Sequence, residues 1–187
     1  TPKSVDDRIC FATFLRKVGR RVMRRPITDD EILTYTNELI PYAMTEQNFN
    51  SAIELALQAW IQHPEYLYRV EAGTGMQPEP GLYELNNFEV ATRMAYFVWG
   101  SGPDDALLDA AEAGKLRDST ERIAQATRML VDARAKRQWH KFHAQWFGYD
   151  GISLPATLGP DLLQESNALY DRVVFENDKD WMELFST

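Results

Sequence analysis

The spacing of the apolar residues constrains the fold of this chain more than any other feature. Between residues 5 and 23, and again between residues 49 and 60, apolar side chains recur every three to four positions. That period places them along one face of a helix and predicts helices rather than strands. Because short connections separate the helices, the sequence predicts an all-α fold, an orthogonal bundle of about eight helices. The sequence also allows one short extended segment near residues 82–85.

Local signals mark where individual helices begin and end. Pro26 is expected to end the first helix, since proline lacks a backbone donor, and Gly114 is expected to follow the end of a later one. The last helix is expected to run unbroken from residue 160 to about residue 185. Three sequences can satisfy the free backbone amides of a helix start: Thr28–Glu31, Asp104–Asp105 and Asp118–Glu121.

The region between residues 72 and 82 is rich in glycine and proline and is predicted to be a linker. It divides the chain into an N-terminal helical domain, residues 1–71, and a C-terminal helical domain, residues 83–187. Neither part is large, so the two are expected to share a core and to pack as one unit.

Charge and hydropathy argue against two classes of partner. The chain of 187 residues has a net charge of −8, and residues 1–70 balance nine basic against nine acidic residues, so the excess lies in the remainder. An acidic chain repels phosphate backbones, so no nucleic-acid partner is expected. No apolar run is long enough for a transmembrane segment. The single cysteine, Cys10, excludes an internal disulfide and a cysteine metal cluster.

A basic run in the first helix is the first candidate site. Its six positive charges fall within ten residues: Arg16, Lys17, Arg20, Arg21, Arg24 and Arg25. Such a run is suited to an anion or to a partner surface. The alternative is a solvated helix face whose guanidiniums pair with the chain's own acids, among them Asp29, Asp30 and Glu31. The regular interleaving of valine, methionine and glycine favours this alternative.

The second candidate site is the pair His140 and His143, which lie three residues apart on a predicted helix. Two imidazoles at that spacing can face one point and contribute to the binding of a haem or a metal. A metal needs further ligands, and no partner motif lies nearby, so no metal site is predicted. The alternative is that His143, on the apolar stripe between Trp139 and Trp146, is a core or interface histidine. The sequence favours this alternative.

No catalytic motif stands out among the other residues. The paired carboxylates lie at predicted helix starts, where capping accounts for them. No serine or cysteine stands in a recognisable nucleophile motif. Trp60, Trp99, Trp139 and Trp146 fall on apolar stripes and are expected in the core, which leaves sugar stacking as the lesser alternative. The sequence leaves open whether the chain is part of an enzyme.

Four segments of the chain carry a family resemblance. They are RRPITDDE at residues 24–31, AWIQHPEYLYRVE at residues 59–71, the stretch at residues 84–116 that opens ELNNFEVATRMAYF, and RMLVDARAKRQWHKFHAQWFG at residues 128–148. Together they resemble the paired planctomycete and myxobacterial domains of unknown function numbered 1595 and 1592. The first two segments are similar to the start and the end of the former domain, and the last two to the opening and the middle of the latter.

The resemblance implies a setting rather than a reaction. Members of this family occur in larger exported proteins that also carry c-type cytochrome modules. The resemblance therefore implies a periplasmic or cell-surface location, haem c in an associated domain or subunit, and no cofactor in this chain. The implied partners are other domains or chains of the same larger protein. Family members continue beyond the position of Thr187, so the C-terminal domain is expected to be incomplete here.

Three functional hypotheses follow. The leading hypothesis is a helical structural and interaction module of a larger exported, cytochrome-associated protein. The second is part of a haem- or metal-dependent oxidoreductase whose pocket is completed by other domains, with His140, His143 and the basic run as contributors. The third is a polysaccharide-binding module that uses exposed tryptophans.

Overall fold

All regular structure in the computed structural model is helical. The structure describes residues 1–150, 158–176 and 180–185, and within them no strand is formed. The all-α, multi-helix fold predicted from the sequence is therefore confirmed. The chain forms two compact units: the first unit contains residues 1–96 and 101–125, and the second contains residues 97–100 and 126–187. The linker and domain limits proposed around residues 72–82 stay a prediction.

The α-helices of the described residues are, in chain order, α1 Arg8–Phe14, α2 Arg20–Met23, α3 Asp29–Thr45, α4 Phe49–Ile61, α5 Pro64–Leu67, α6 Asn87–Trp99, α7 Asp105–Glu112, α8 Ser119–Leu130, α9 Ala133–Trp146 and α10 Gly159–Tyr170. Shorter turns accompany them: π-helical turns at Leu15–Gly19 and Asp171–Glu176, and 3-10 helices at Lys115–Arg117 and Trp181–Phe185. None of the described helices combines the length and the apolar character that crossing a membrane requires.

The core of the first unit surrounds Trp60 on α4. Its side chain is fully buried, and its ring centroid lies 5.8 Å from that of Phe14 and 5.9 Å from that of Tyr35. On the same helix Ala52 and Ala56 are also fully buried, and α3 packs against α4. Because alanine side chains are short, neighbouring helices approach closely and the large ring fills the space beside them.

The first helical stretch ends at Met23, as predicted. Arg24 has a left-handed backbone (φ 59°), which ends α2, and Pro26 follows two residues later. One turn earlier, Gly19 makes a close approach to the chain beyond this turn. A Cβ atom at Gly19 would lie 2.7 Å from Cγ1 of Ile27 and 3.0 Å from the Trp60 ring. Only glycine leaves room for that contact.

Capping hydrogen bonds confirm the predicted helix starts. At α3 the backbone N–H of Glu31 donates to the Thr28 hydroxyl at 3.2 Å, and the Thr28 N–H donates to the Glu31 carboxylate at 2.8 Å. Asp104 and Asp118 each accept from a backbone N–H in the first turn of α7 and α8, at 2.9 and 2.8 Å. Gly114, with φ 70°, follows α7 as expected.

Residues 82–85 form no strand; the Leu82 N–H closes a turn onto Glu79, and Glu84 pairs with residues 74 and 76. The N–H of Glu84 donates to the carbonyl of Met76 at 3.1 Å, and its carbonyl accepts from the N–H of Thr74 at 2.8 Å. The segment predicted to be extended is therefore held by an isolated pair of hydrogen bonds rather than by a ladder.

The tryptophans of the second unit differ in burial. Trp99 is buried, donates its indole N–H to the carbonyl of Met129 at 2.9 Å, and has the Arg134 guanidinium 3.5 Å from its ring centroid. Trp146 is 54% exposed, so the expectation that it lies in the core is wrong. Tyr170 packs on His143, one turn earlier in α9, while the Trp146 ring contacts Phe142 and Phe147.

The final helix is shorter than predicted. The π-helical turn extends α10 as far as Glu176, but Asp180 is not helical and a separate 3-10 helix begins at Trp181. Residues 177–179 lie outside the described residues. The Asp180 carboxylate accepts from the N–H of Met182 at 2.9 Å and starts this new segment. The prediction of one unbroken helix over residues 160–185 is therefore wrong.

Gly19→Ala is expected to lower the free energy of unfolding by about 1–3 kcal/mol, because it overpacks the contact with Ile27 and Trp60. At an open helical position the same change raises stability by about 1 kcal/mol, so the sign of the effect is diagnostic. Urea denaturation followed by tryptophan fluorescence measures it. Gly102→Ala, in the non-helical segment before α7, controls for the added methyl group, because its carbon would meet nothing closer than 4.0 Å. A Gly19→Ala variant as stable as the parent chain would contradict the packing.

Candidate functional site

Much of the basic run forms ion pairs with carboxylates of the first unit. Those involving the first three arginines of the run are Arg16–Asp29 at 3.0 Å, Arg20–Asp109 at 2.6 Å, Arg20–Glu112 at 2.9 Å, and Arg21–Asp105. The expected pairing with Asp29 is present, while Lys17 forms no ion pair within the described residues. Three of these carboxylates belong to α7, so the run ties the first helical stretch to a helix that follows it by about 85 residues. Its use as an anion or partner surface stays a prediction.

Arg25 links the two segments that resemble the start and the end of the first family domain. Its guanidinium donates to both carboxylate oxygens of Glu31, at 2.8 and 2.9 Å, and to both of Glu65, at 2.9 and 3.0 Å. Such paired, charge-assisted hydrogen bonds impose both distance and orientation. We call Arg25, Glu31 and Glu65 the motif junction, since it links residues 24–31 to residues 59–71.

Glu31 and Arg25 of the motif junction are charged at neutral pH. The Arg25 hydrogen bonds lower the pKa of Glu31 to about 2, with further help from the Thr28 N–H and hydroxyl. The same contacts raise the pKa of Arg25. A carboxylate held ionised in this way does not exchange protons near pH 7, so the junction is built for structure rather than for acid–base catalysis.

Arg24 holds the end of α5. Its guanidinium donates to the backbone carbonyls of Glu65 and Tyr68, the latter at 3.1 Å, and the residue is only 7% exposed. The last carbonyls of a helix have no partner within the helix, so the arginine supplies one. The neighbouring pair Arg24 and Arg25 therefore fixes the same short helix through its backbone and through a side chain.

The two histidines of α9 make separate contacts. Nε2 of His140 lies 2.9 Å from the Asp171 carboxylate, while Nδ1 of His143 lies 2.8 Å from the backbone carbonyl of Trp139 and donates to it. Within the described residues no group of three or more histidines, cysteines or carboxylates is placed to hold a metal. The part that this pair plays in cofactor binding stays a prediction.

An apolar cavity of about 310 Å³ opens beside His143 in the second unit. We call it the aromatic cavity; its lining residues are Trp139, Phe142, His143, Trp146, Tyr170, Val174 and Phe175. The Tyr170 ring stacks on the His143 imidazole, with 4.3 Å between centroids. Phe142 lies 5.7 Å from both Trp139 and Trp146. These rings form one continuous cluster along α9 and the end of α10.

Burial controls the titration of the two polar rings in this cluster. Desolvation lowers the pKa of His143 below its ordinary value, and the nearby His140 adds to that effect. Desolvation raises the pKa of Tyr170 to about 12. Both rings are therefore neutral at pH 7, and the aromatic cavity carries no charge of its own.

The sequence did not reveal which distant residues contact the two histidines. The spacing of Trp139, His143 and Trp146 on one helix face was visible in the sequence. Tyr170 and Asp171, which contact the two histidines, follow them by about 30 residues. No local pattern couples those positions, because the coupling depends on how α10 packs.

Two family models match the chain. The model described as "Protein of unknown function (DUF1592)" matches residues 85–187, and the one described as "Protein of unknown function (DUF1595)" matches residues 10–71. The order of the two agrees with the resemblance noted in the sequence. Neither a curated protein nor a solved structure matches the chain.

Glu31→Gln is expected to remove pH-dependent stability. The folded pKa of Glu31 is about 2 against an ordinary 4.5, so its contribution is present above pH 4.5 and lost as the pH falls toward 2. The variant should lose about 1–2 kcal/mol at pH 7 and show a shallower loss of stability between pH 4.5 and 2. Urea denaturation across this range measures both. Glu38→Gln, an exposed change on the same helix, is the control; equal losses in the two variants would refute the junction.

His143 is expected to protonate with its midpoint below pH 6.5, because burial under Tyr170 penalises the charged imidazole. The associated stability is present above pH 6.5 and lost as the pH falls through the lower folded pKa. NMR titration of the imidazole carbon-bound protons measures the midpoint. Tyr170→Ala should move it up toward 6.5, whereas Tyr170→Phe keeps the covering ring and should leave it low. A midpoint at or above 6.5 in the parent chain would contradict this assignment.

Proposed function

We propose that this chain, which belongs to the family of proteins of unknown function DUF1592 and carries a DUF1595 region ahead of that match, is a helical interaction module of a larger protein. Its partner is another domain or chain of the same larger protein, docked on α9. From the family resemblance we further propose that the larger protein is exported to the periplasm or cell surface and that haem c is bound in another domain or subunit.

Exposed aromatic side chains on α9 are the observation that carries the proposal. Phe142, Trp146 and Phe147 are 46%, 54% and 43% exposed, and Phe147 lies 5.7 Å from the ring of Phe185, itself half exposed. We call these four residues the aromatic face. Contiguous apolar surface of this kind marks interaction sites, and aromatic residues dominate the binding energy of protein interfaces.

The aromatic cavity indicates what kind of partner fits. Two residues of the aromatic face, Phe142 and Trp146, also line the cavity, whose walls are apolar and whose histidine and tyrosine are neutral at pH 7. A volume of about 310 Å³ accepts one large apolar side chain together with its neighbours. The partner is therefore a protein segment that presents a large aliphatic or aromatic side chain.

The contacts of the histidines favour docking over cofactor ligation. The Nε2 atom of His140 already contacts the Asp171 carboxylate. His143 donates a hydrogen bond to the Trp139 carbonyl and stacks against the Tyr170 ring. Ligation through the Nε2 atom of His140 would break its contact with Asp171. A partner docked on the aromatic face would leave these contacts in place.

Hydroxyl-radical footprinting of the full-length gene product and of the 187-residue chain tests the proposal. Oxidation of Phe142 and Trp146 is expected to fall about fivefold or more in the full-length product, because docking removes most of their exposed surface from water. Phe97, which is 74% exposed on α6, serves as the internal control and should oxidise equally in both. Equal oxidation of Trp146 in the two proteins would refute docking on this face.

A matched pair of variants separates the alternatives. Trp146→Ala should weaken the binding of this chain to the remainder of the larger protein, supplied as a separate chain, by about tenfold or more, and Phe97→Ala should not. Isothermal titration calorimetry measures both.

Retention of the parent chain on a glycan array, if it is lost in Trp146→Ala, would instead favour polysaccharide binding. Loss of full-length activity in a His140→Ala, His143→Ala double variant that still folds would favour the oxidoreductase.

A further inference from the structure

A cleft of about 230 Å³ in the first unit brings together charged residues that the proposed docking does not use. We call it the arginine cleft. Its charged lining residues are Arg24, Arg25, Arg69, Glu65, Glu71 and Glu89. Val70 and Phe88 add apolar wall, and Asn86 adds an amide. Its lining residues lie within residues 1–96, and none of them belongs to the aromatic face.

Each carboxylate of the arginine cleft is already engaged. Glu65 is held by Arg25, and Glu71 accepts from Arg93, with 3.0 Å to its Nε. Glu89 accepts from three backbone N–H groups, those of Ala72 at 2.7 Å, Gly73 at 2.9 Å and Asn86 at 2.7 Å. None of the three forms an ion pair with Arg24 or Arg69 among the described residues.

Arg24 and Arg69 are the lining cations without an acidic partner among the described residues. The Nη2 group of Arg24 donates to two backbone carbonyls, while its Nε and Nη1 donate to no described group. Arg69 forms neither a hydrogen bond nor an ion pair within the described part of the chain. Its guanidinium carbon lies 4.9 Å from the centroid of the Tyr96 ring, and that of Arg24 lies 6.0 Å from the same centroid.

The backbone conformation of Arg24 is energetically unfavourable for a residue other than glycine. Its φ of 59° is left-handed, a region that arginine rarely adopts outside turns and sites under constraint. The residue is nevertheless 7% exposed, so a guanidinium charge is held in a largely buried position by carbonyls and an aromatic ring alone. An anion in the cleft would supply the missing opposite charge.

We propose that the arginine cleft binds the carboxylate of a monoanionic organic acid, with Arg24 and Arg69 as its donors. A planar guanidinium matches the two oxygens of a carboxylate. Glu65, Glu71 and Glu89 lie in the same lining and repel a second negative charge, so a carboxylate is preferred over a phosphate dianion. Val70 and Phe88 suit a short apolar chain behind the carboxylate. The acid is either a small molecule or a carboxylate on a peptide.

NMR titration of the intact 187-residue chain tests this site. The arginine Nε–Hε signals of Arg24 and Arg69 are followed as sodium butyrate is added, with sodium chloride at equal ionic strength as the control. Butyrate is expected to give saturable shifts at both residues, with a dissociation constant on the order of 1–10 mM, as befits a ligand of so few atoms. Equal shifts with chloride, or tighter binding of inorganic phosphate than of butyrate, would overturn the proposal.

A pair of peptides distinguishes the two sources of the carboxylate. Acetyl-Ala-Ala-Val with a free C-terminus is compared with the same peptide ending in an amide. Binding of the free acid about tenfold tighter than butyrate identifies a peptide carboxylate, and binding no tighter than butyrate identifies a small acid. Binding of the amide as tight as that of the free acid would show that the carboxylate is not recognised, and the proposal would be wrong.

Exposed Arg69 provides the variant, since changing Arg24 would also release the end of α5. Arg69→Gln is expected to weaken butyrate binding about tenfold, and Arg69→Lys, which keeps the charge but loses the planar fork, to weaken it less. Arg16→Gln removes an exposed arginine elsewhere in the same unit and should leave the titration unchanged. Unchanged binding in Arg69→Gln, or an equal loss in Arg16→Gln, contradicts the assignment.

Discussion

The four hydrogen bonds from Arg25 to Glu31 and Glu65 tie the first unit together. They join the start of α3 to the short helix α5, and Arg25 and Glu65 are themselves 40 residues apart in the chain. Arg24 beside them binds two carbonyls at the end of α5. Both carboxylates are partly shielded from solvent, which makes their pairing with one guanidinium stronger than an exposed ion pair. The left-handed turn at Arg24 directly precedes this junction, and Arg25 and Glu65 also line the arginine cleft.

The junction also explains why a recognisable motif need not be a catalytic one. The segments at residues 24–31 and 59–71 carry the resemblance to the first family domain, and three of their charged residues, Arg25, Glu31 and Glu65, bind each other. Glu31 is ionised at neutral pH, which suits this junction to holding helices in place. The two proposed binding sites lie elsewhere: at Arg24 and Arg69, which no acid of the described residues neutralises, and at the rings of α9.

The sequence predicted the features that depend on neighbouring residues. Thr28 and Glu31 cap α3, and Gly114 follows α7, because such contacts are made within a few residues. The sequence did not predict contacts between segments that lie far apart in the chain. Tyr170 covers His143, so the apolar stripe of α9 divides into a buried part and an exposed end at Trp146, and nothing near Trp146 signals where the cover stops. The contact between Arg69 and the Tyr96 ring also joins distant segments, so no local pattern predicts it.

Photo-crosslinking in the full-length gene product tests most directly whether α9 is a docking surface. Benzoylphenylalanine placed at position 146 replaces one exposed aromatic side chain by another that reacts with whatever covers it. The proposed function predicts a crosslinked peptide from a segment outside residues 1–187, in the same chain or in its partner, and no such product from position 97. Crosslinks confined to residues 1–187, or none at all, would contradict it.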